Sequence, residues 1–206
     1  MPLLAGAQNY PVKPVRFMVG FPPGGTNDLI IRAIAQKLTE QMGQQFVVEN
    51  RGGANTAIAS EMFARTAAPD GYTIMLNAPG HATNPAMMKL NFDPIRDFAF
   101  ITIAAQSVNL LVTHPSLPAK SVKELLAISR ARPGDIIYGS SGVGTTPHLA
   151  VEEFAAKAGV QLQHVPFKGN ADGMQALLGG HIMAHSDATG WAPHVEAGTV
   201  RLLATY

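Results

Sequence analysis

The stretch Val15–Asp28, VRFMVGFPPGGTND, predicts how the chain around it is organised. Its apolar run VRFMVGF has the character of a buried strand, and the pair Gly24-Gly25 is typical of a turn. The residues that follow, LIIRAIAQKLTEQM, have the apolar period of a helix. A strand that passes through a glycine turn into a helix is a common way to hold an anion, because the first N–H groups of the helix have no partner within it.

Strand-like and helix-like segments alternate along the rest of the chain. The alternation predicts an α/β fold with a mostly parallel sheet and helices on both of its faces. The predicted strands are Val15–Phe21, Gln45–Asn50, Tyr72–Asn77, Phe98–Ala104, Asn109–Thr113, Ile136–Ser140, Gln161–Pro166, His181–Ser186 and Val200–Thr205. The predicted helices are Asn27–Met42, Thr56–Ala67, Val122–Arg132, Pro147–Ala158, Ala171–Leu178 and a short turn at Ala192–Ala197, with one more short helix starting at Thr83.

Local signals mark the helix ends and one boundary between lobes. Ser121 with Glu124 forms a predicted capping box, and Gly43, Gly159 and Gly179 follow helical runs, where a left-handed residue is expected. The segment at residues 105–120 contains two prolines and no helical period. We therefore interpret residues 1–104 as a first lobe and residues 105–206 as a second lobe.

The composition excludes several classes of protein. The chain has 206 residues, of which 47% are apolar and 14% charged, and its net charge is +1. Nucleic acid is therefore not an expected partner, because such binding needs many phosphate contacts. The absence of cysteine excludes disulfides and zinc–thiolate sites. The start MPLLAGAQNYPVKP is compatible with the tail of an export signal or with an ordinary chain start.

The glycine turn does not match a nucleotide site. Gly20 and Gly25 have the spacing of a phosphate loop, but Thr26 stands where the lysine of that motif should be. Gly142-Val143-Gly144 begins a dinucleotide fingerprint, but Pro147 replaces its third glycine. Neither motif predicts a phosphate ligand.

Two other motifs leave alternatives open. Gly139-Ser140-Ser141-Gly142-Val143 is close to a nucleophile elbow but lacks its last glycine, so a serine-type α/β hydrolase or transferase using Ser140 or Ser141 remains the alternative function. His181 and His185 have the spacing of two metal ligands, without the glutamate of the zinc motif. Two neutral histidines on a sheet are the simpler interpretation.

Four loops between a strand and a helix share one chemistry. They are Gly24–Thr26, Asn77–His81, Ser140–Thr146 and Phe167–Asn170. In open α/β sheets the ligand lies beyond the carboxyl ends of the strands, where such loops present backbone N–H groups and the positive ends of helices. They predict a site for a small anion. In this setting we expect a neutral His148 that hydrogen-bonds or caps its helix, and an Asp28 that organises its own loop.

The sequence resembles the extracytoplasmic solute receptors of tripartite tricarboxylate transporters, often called Bug proteins. The resemblance runs from about Tyr10 to the end and is carried by FPPGGTND, by FVVENRGGANTAIAS, by APDGYTIML and by YGSSGVGTTPHL together with HVPFKGNADGMQALLGG. It implies a two-lobed periplasmic binding protein of the two-crossover class. It also implies a periplasmic receptor that binds a small carboxylate (a dicarboxylate, a tricarboxylate or an acidic amino acid), needs no cofactor and catalyses no reaction.

The same resemblance implies partners and binding residues. The receptor would deliver its ligand to a membrane complex of one large and one small subunit, and the ligand would be held by backbone amides and bridging waters more than by arginine. The implied binding residues are Gly24, Gly25, Asp28, Ala78, Pro79, Gly80, His81, Ser140, Ser141, Gly144, Thr145, His148, Phe167, Lys168, Gly169 and Asp187. Family members are longer, so we expect a first lobe that is incomplete at its C-terminal side and an exposed sheet edge that invites self-association.

Overall fold

Two separate β-sheets divide the chain in the computed structural model, which describes residues 10–188 and 190–206. The strands are β1 (Val15–Val19), β2 (Phe46–Asn50), β3 (Thr73–Leu76), β4 (Leu110–Thr113), β5 (Ile137–Ser140), β6 (Gln163–Pro166), β7 (Ala184–Asp187) and β8 (Arg201–Thr205). The helices are α1 (Thr26–Met42), α2 (Ala57–Thr66), α3 (Gly80–Met87), α4 (Val122–Ala131), α5 (Thr146–Ala158), α6 (Asn170–Leu178) and α7 (Ala192–Glu196), with a 3₁₀ turn at Ala54–Thr56. The stretch LLAGAQ, considered above as the tail of an export signal, lies outside the described residues.

The first lobe is built on a parallel sheet with the strand order β2-β1-β3. Alternate residues of β1, namely Val15, Phe17 and Val19, are buried against α1 in one hydrophobic cluster. The strand ends before Gly20, where the chain packs closely on the 3₁₀ turn: a Cβ atom at residue 20 would lie 2.7 Å from the Cβ of Thr56. The chain then enters the glycine turn and α1, as the sequence predicts.

The second lobe has a five-stranded sheet in the order β6-β5-β7-β4-β8. Strands β5, β6 and β7 are parallel, and β4 runs antiparallel to both β7 and β8. One hydrophobic cluster, around Leu125, Tyr138 and Val151, covers one side of the sheet, and a second, around Leu177 and Trp191, covers the other. The predicted arrangement of helices on both faces is therefore confirmed in this lobe, with β4 as the antiparallel exception.

One predicted strand is wrong. Residues 98–104, which have strand-like composition, form no strand, and Phe100, Ile101 and Ile103 are exposed by 68%, 76% and 76%. An extended segment becomes a strand only when a neighbour accepts and donates its backbone hydrogen bonds. No strand within residues 10–188 and 190–206 lies beside this segment.

The helix ends lie where the local sequence signals predict them, except that one left-handed glycine is displaced by one residue. The backbone N–H of Glu124 donates to Ser121 Oγ at 3.2 Å, so Ser121 caps α4 as predicted. Glu124 Oε2 accepts from the Lys120 N–H and not from the Ser121 N–H, so the reciprocal half of the capping box is displaced by one residue. Gly43 and Gly159 are left-handed, as expected. After α6 the left-handed residue is Gly180, with φ 70°, and not the predicted Gly179.

Candidate functional site

A cavity of about 60 Å³ lies between the two lobes, beyond the carboxyl ends of β1, β5, β6 and β7. Pockets for drug-sized ligands start at roughly 300 Å³, so this cavity is small and suits a small molecule. The residues that line it are Phe21, Pro22, Pro23, Gly25, Thr26, Asn27, Ser141, Gly169, Asn170, Ala171, Asp172 and Asp187. The location agrees with the general rule for ligands of open α/β sheets.

The amino ends of two helices face this cavity. Residues 25–27 begin α1 in the first lobe, and residues 169–172 begin α6 in the second. The first turn of a helix carries N–H groups without an intrahelical partner and about half a positive elementary charge. The arrangement therefore attracts an anion from two sides.

Asp28 holds the glycine turn of the first lobe in place. Its Oδ2 accepts hydrogen bonds from the Gly24 N–H and from Arg32 Nε, both at 2.9 Å, and its Oδ1 accepts from Asn50 Nδ2 at 2.9 Å. Burial alone would raise the pKa of this carboxyl, but the bonds from Arg32, Gly24 and Asn50 outweigh it and lower the pKa. The prediction that Asp28 organises its own loop is confirmed, and the Gly24 N–H is engaged by Asp28.

The corresponding loop of the second lobe, residues 140–145, is held by two imidazoles. His164 Nε2 lies 2.8 Å from Ser140 Oγ, and the Gly144 N–H donates to His148 Nδ1 at 3.2 Å. Burial, and then the neighbouring His148, lower the pKa of His164 to about 4. Burial also lowers the pKa of His148, and the centroids of the two rings lie 4.2 Å apart with their planes tilted by 38°. The expected neutral state of His148 agrees with this, and its ring accepts a hydrogen bond from the loop.

The two lobes touch beside the cavity. Thr83 Oγ1, on α3, donates to the carbonyl of Gly144 at 3.0 Å. Gly144 has φ 78°, and a Cβ atom there would collide with the Met87 sulfur. On the other side, Pro22 Cδ would lie 3.4 Å from a Cβ atom placed on Gly169. The lobes are therefore in contact around the cavity, and at Gly144 this contact leaves no room for a side chain.

The structure brings only part of the predicted residue set to the cavity. Gly25, Ser141, Gly169 and Asp187 line it. The remaining predicted residues, which do not line it, are Gly24, Asp28, Ala78, Pro79, Gly80, His81, Ser140, Gly144, Thr145, His148, Phe167 and Lys168. Many of these shape the loops instead, as Asp28 and His148 do.

His81 has a structural environment of its own. Its Nε2 lies 2.6 Å from the carbonyl oxygen of Pro94, and its ring contacts Phe92, Phe98 and Phe100. These contacts place the imidazole in an aromatic cluster and away from the cavity lining.

Sequence reasoning missed two groups of residues. The first consists of lining residues directly beside the predicted loops, namely Phe21, Pro22, Pro23, Asn27, Ala171 and Asp172, which could have been found from the adjacent strand end and helix starts. The second is the left-handed run Ala54, Asn55 and Thr56, with φ 46°, 49° and 74°. Asn55 Nδ2 reaches Asn84 Oδ1 at 3.2 Å, close to the contact between the lobes. Only the tolerance of asparagine for this conformation hints at it in the sequence.

Ser140 is poorly placed for the alternative hydrolase function. The residue is fully buried and its Oγ lies between His164 and the backbone of Gly142. A nucleophile must reach a substrate carbonyl, and this hydroxyl does not line the cavity. Among the described residues, no group of three or more His, Cys, Asp or Glu is arranged to hold a metal ion.

The charged side chains of the cavity are acidic. Asp172 and Asp187 line it, whereas the described residues contribute no lysine or arginine to the lining. Any positive contribution to the potential in this cavity therefore comes from backbone groups at the helix ends, and not from side chains.

Two sheets with a cavity at their strand ends define a two-lobed periplasmic binding protein. The family profile described as "Tripartite tricarboxylate transporter family receptor" matches residues 30–206, and the chain belongs to this family. A Cupriavidus necator relative, "UPF0065 protein in gbd 5'region", is 42% identical over 100% of this chain and 63% of its own length. "Protein BugT" of Bordetella pertussis is 33% identical over 96% of this chain and 62% of its own.

Solved structures agree with this assignment. An R. palustris protein solved with adipate is 38% identical, with a TM-score of 0.90 over 95% of this chain and 66% of that one. MatC from Rhodopseudomonas palustris, solved with bound malate, is 26% identical, with a TM-score of 0.86 over 95% of this chain and 67% of that one. The chain thus spans a little under two thirds of the length of the relatives named above.

Proposed function

We propose that the protein is a periplasmic receptor that captures a small carboxylate between its two lobes. The candidate ligands are dicarboxylates, tricarboxylates and acidic amino acids. One observation carries the proposal: the amino ends of α1 and α6 converge on an interlobe cavity that has no basic side chain among its lining residues. The adipate and malate bound by related structures support the same class of ligand.

The proposed mechanism is lobe closure. A carboxylate bound at one helix end gains hydrogen bonds from the opposite lobe only when the lobes meet, so the ligand stabilises the closed state. We propose that Gly25, Ser141, Gly169 and Asp187 contact the ligand, directly or through water, and that the other predicted residues shape the loops. Hydrogen bonds to a charged group contribute about 1.5–3 kcal/mol each, so a few of them give useful affinity without a buried arginine.

We further propose that binding is not followed by a reaction, and that the receptor passes its ligand to a membrane transporter of one large and one small subunit. The buried Ser140 hydroxyl, which does not line the cavity, supports the first statement for one of the two candidate serines. Ser141 does line the cavity, and the turnover of p-nitrophenyl esters described below tests it. Family membership supports the second. Within the described residues, no helix combines the length and the apolar character needed to cross a membrane.

A thermal unfolding screen tests the proposed function. We expect at least one of succinate, glutarate, adipate, malate, citrate, aspartate or glutamate to stabilise the protein. At one hundred times the dissociation constant the gain is about 2.7 kcal/mol, which corresponds to a rise of roughly 5–10 °C for a chain of this size. The neutral methyl esters of the acids without an amino group, namely the dimethyl esters of succinate, glutarate, adipate and malate and the trimethyl ester of citrate, serve as controls and should give no shift. If no acid raises the midpoint at millimolar concentration, or if p-nitrophenyl esters are turned over, the proposal is wrong.

We also propose that the first lobe associates with a second copy of the chain through its exposed apolar segment. The proposal rests on the segment that contains Phe100, Ile101 and Ile103. These side chains are exposed, and the segment pairs with no described strand. We expect a dimer at tens of micromolar in sedimentation velocity and a monomer for Ile101→Lys. Ile58→Lys, an exposed isoleucine on α2, is the control. A wild-type monomer at these concentrations would contradict the proposal.

A further inference from the structure

Asp187 is a buried carboxylate whose hydrogen-bonding capacity is largely unused. It ends β7, lines the interlobe cavity, and its side chain is only 7% exposed. Its Oδ1 accepts from the Ala188 N–H at 2.7 Å, whereas Oδ2 has no hydrogen-bond partner among the described residues. The imidazole of His185 is the nearest basic group, with Nε2 3.8 Å from Oδ2, beyond hydrogen-bond distance.

An ionised carboxylate accepts up to about four hydrogen bonds, and a buried one left without them is costly. In the cavity, Asp187 therefore favours a hydrogen-bond donor. The two helix ends on the same cavity favour an anion. A plain alkanedicarboxylate satisfies the helix ends but brings a like charge towards Asp187 and offers it no donor.

We propose that the carboxylate of Asp187 accepts a hydrogen bond from a hydroxyl or ammonium group of the ligand. The site then selects acids that carry such a donor on their carbon chain over the unsubstituted acids of the same length. This inference rests on the proposed function and names the substrate class within it. Asp172, the other acidic lining residue, does not compete for this role, because it is exposed in the first turn of α6, where a carboxylate is already stabilised by the helix end.

Matched ligand triplets test the inference in the wild-type protein. The triplets are succinate, malate and aspartate; glutarate, 2-hydroxyglutarate and glutamate; and adipate, 2-hydroxyadipate and 2-aminoadipate. Within each triplet only one substituent changes. In the triplet whose length fits, calorimetric titration should show the hydroxy or amino acid binding about 10- to 100-fold more tightly than the unsubstituted acid.

The single tryptophan gives an independent readout. Trp191 is fully buried, and its ring centroid lies 5.3 Å from that of His185, the neighbour of Asp187 on β7. A ligand that engages Asp187 should change the fluorescence of Trp191. At one fixed, sub-saturating concentration, the size of the change should follow the ranking of affinities within a triplet.

Asp187→Asn tests the residue itself. The amide keeps the shape but loses the charge, so the preference within the triplet should fall to threefold or less. An amino acid should lose more affinity than a hydroxy acid, because a neutral amide oxygen still accepts from a hydroxyl. Asp135→Asn removes one charge from an exposed position in the same lobe and should leave the preference unchanged.

Each outcome decides the inference. Equal binding of substituted and unsubstituted acids by the wild type overturns it, even if Asp187→Asn fails to fold. A preference that survives in Asp187→Asn, or that is lost in Asp172→Asn instead, overturns the role of Asp187. If no acid of any triplet binds, the proposed receptor function is wrong, and this inference is wrong with it. That result differs from the outcomes above, in which an acid binds but Asp187 does not select it.

Discussion

Replacing Asp28 by asparagine is expected to destabilise the first lobe and to weaken ligand binding. The side chain is 3% exposed and accepts from Gly24, Arg32 and Asn50. Asparagine has the same shape, but one of its two terminal groups is a donor and would face another donor. Leaving a buried donor unpaired and removing the charge opposite Arg32 should lower the free energy of unfolding by about 2–4 kcal/mol.

The loss should reach the ligand site through the backbone. The Asp28 bond to the Gly24 N–H fixes the turn that presents Gly25 and the first residues of α1 to the cavity. In the variant this turn is less ordered before the ligand binds, so ordering its N–H groups takes up part of the binding free energy. We therefore expect the affinity for the identified acid to fall by about tenfold or more. Urea unfolding and calorimetric titration measure the two effects. Glu40→Gln, on the exposed side of the same helix, is the control and should change neither quantity.

The same residue gives a dependence on pH. The pKa of Asp28 is lowered in the folded state, so its stabilising contribution is complete above the unfolded value of 3.8 and is lost as the pH falls through the lower folded value. The difference in stability between the wild type and Asp28→Asn should therefore shrink in acid below pH 4. A difference that stays constant from pH 7 to pH 3 would show that the charge of Asp28 does not contribute.

Local sequence signals were sufficient to predict the units in which a strand is followed by a turn and a helix. The helical period of residues 29–42, the glycine pair before them and the Ser121 cap each depend on a few neighbouring residues, and the structure forms all three. The same physics located the cavity, because βα loops meet at the carboxyl ends of parallel strands whatever their sequence. The role of Asp28 could be predicted because two of its three partners, Gly24 and Arg32, lie four residues from it along the chain. The third partner, Asn50 on β2, is 22 residues away and has no local signal.

Contacts between residues that are far apart in the chain could not be predicted from the sequence. The imidazole of His81 could have pointed to the cavity, but an aromatic cluster formed by residues 92–100 attracts it. Residues 98–104 have strand-like composition but no pairing partner among the described residues. Ser140 lies in the loop that the alternative function would use, and its Oγ contacts His164, which is 24 residues away. The environments of His81 and Ser140 depend on contacts between distant segments, and residues 98–104 lack such a contact among the described residues; no local pattern encodes either.

Gly144→Val is expected to abolish lobe closure. Gly144 accepts a hydrogen bond from Thr83 of the opposite lobe, and a side chain on it would collide with Met87. Valine also strains the backbone, because φ is 78° and a β-branched residue is strongly disfavoured there. If the ligand is held from both lobes, its affinity should fall at least 30-fold, equivalent to about 2 kcal/mol.

Gly134→Val is a control that introduces backbone strain without a collision between the lobes. Gly134 has φ 80° in the same lobe, but no atom lies within 4 Å of a Cβ placed on it. Both variants should therefore lose similar stability, about 1–2 kcal/mol, while only Gly144→Val loses the ligand. Small-angle X-ray scattering should show that the ligand compacts the wild type and Gly134→Val but not Gly144→Val. Adding Met87→Ala to Gly144→Val removes the obstructing sulfur and should restore part of both affinity and compaction. If the two valine variants bind equally well, the contact between Thr83 and Gly144 is incidental, and the ligand is held by one lobe.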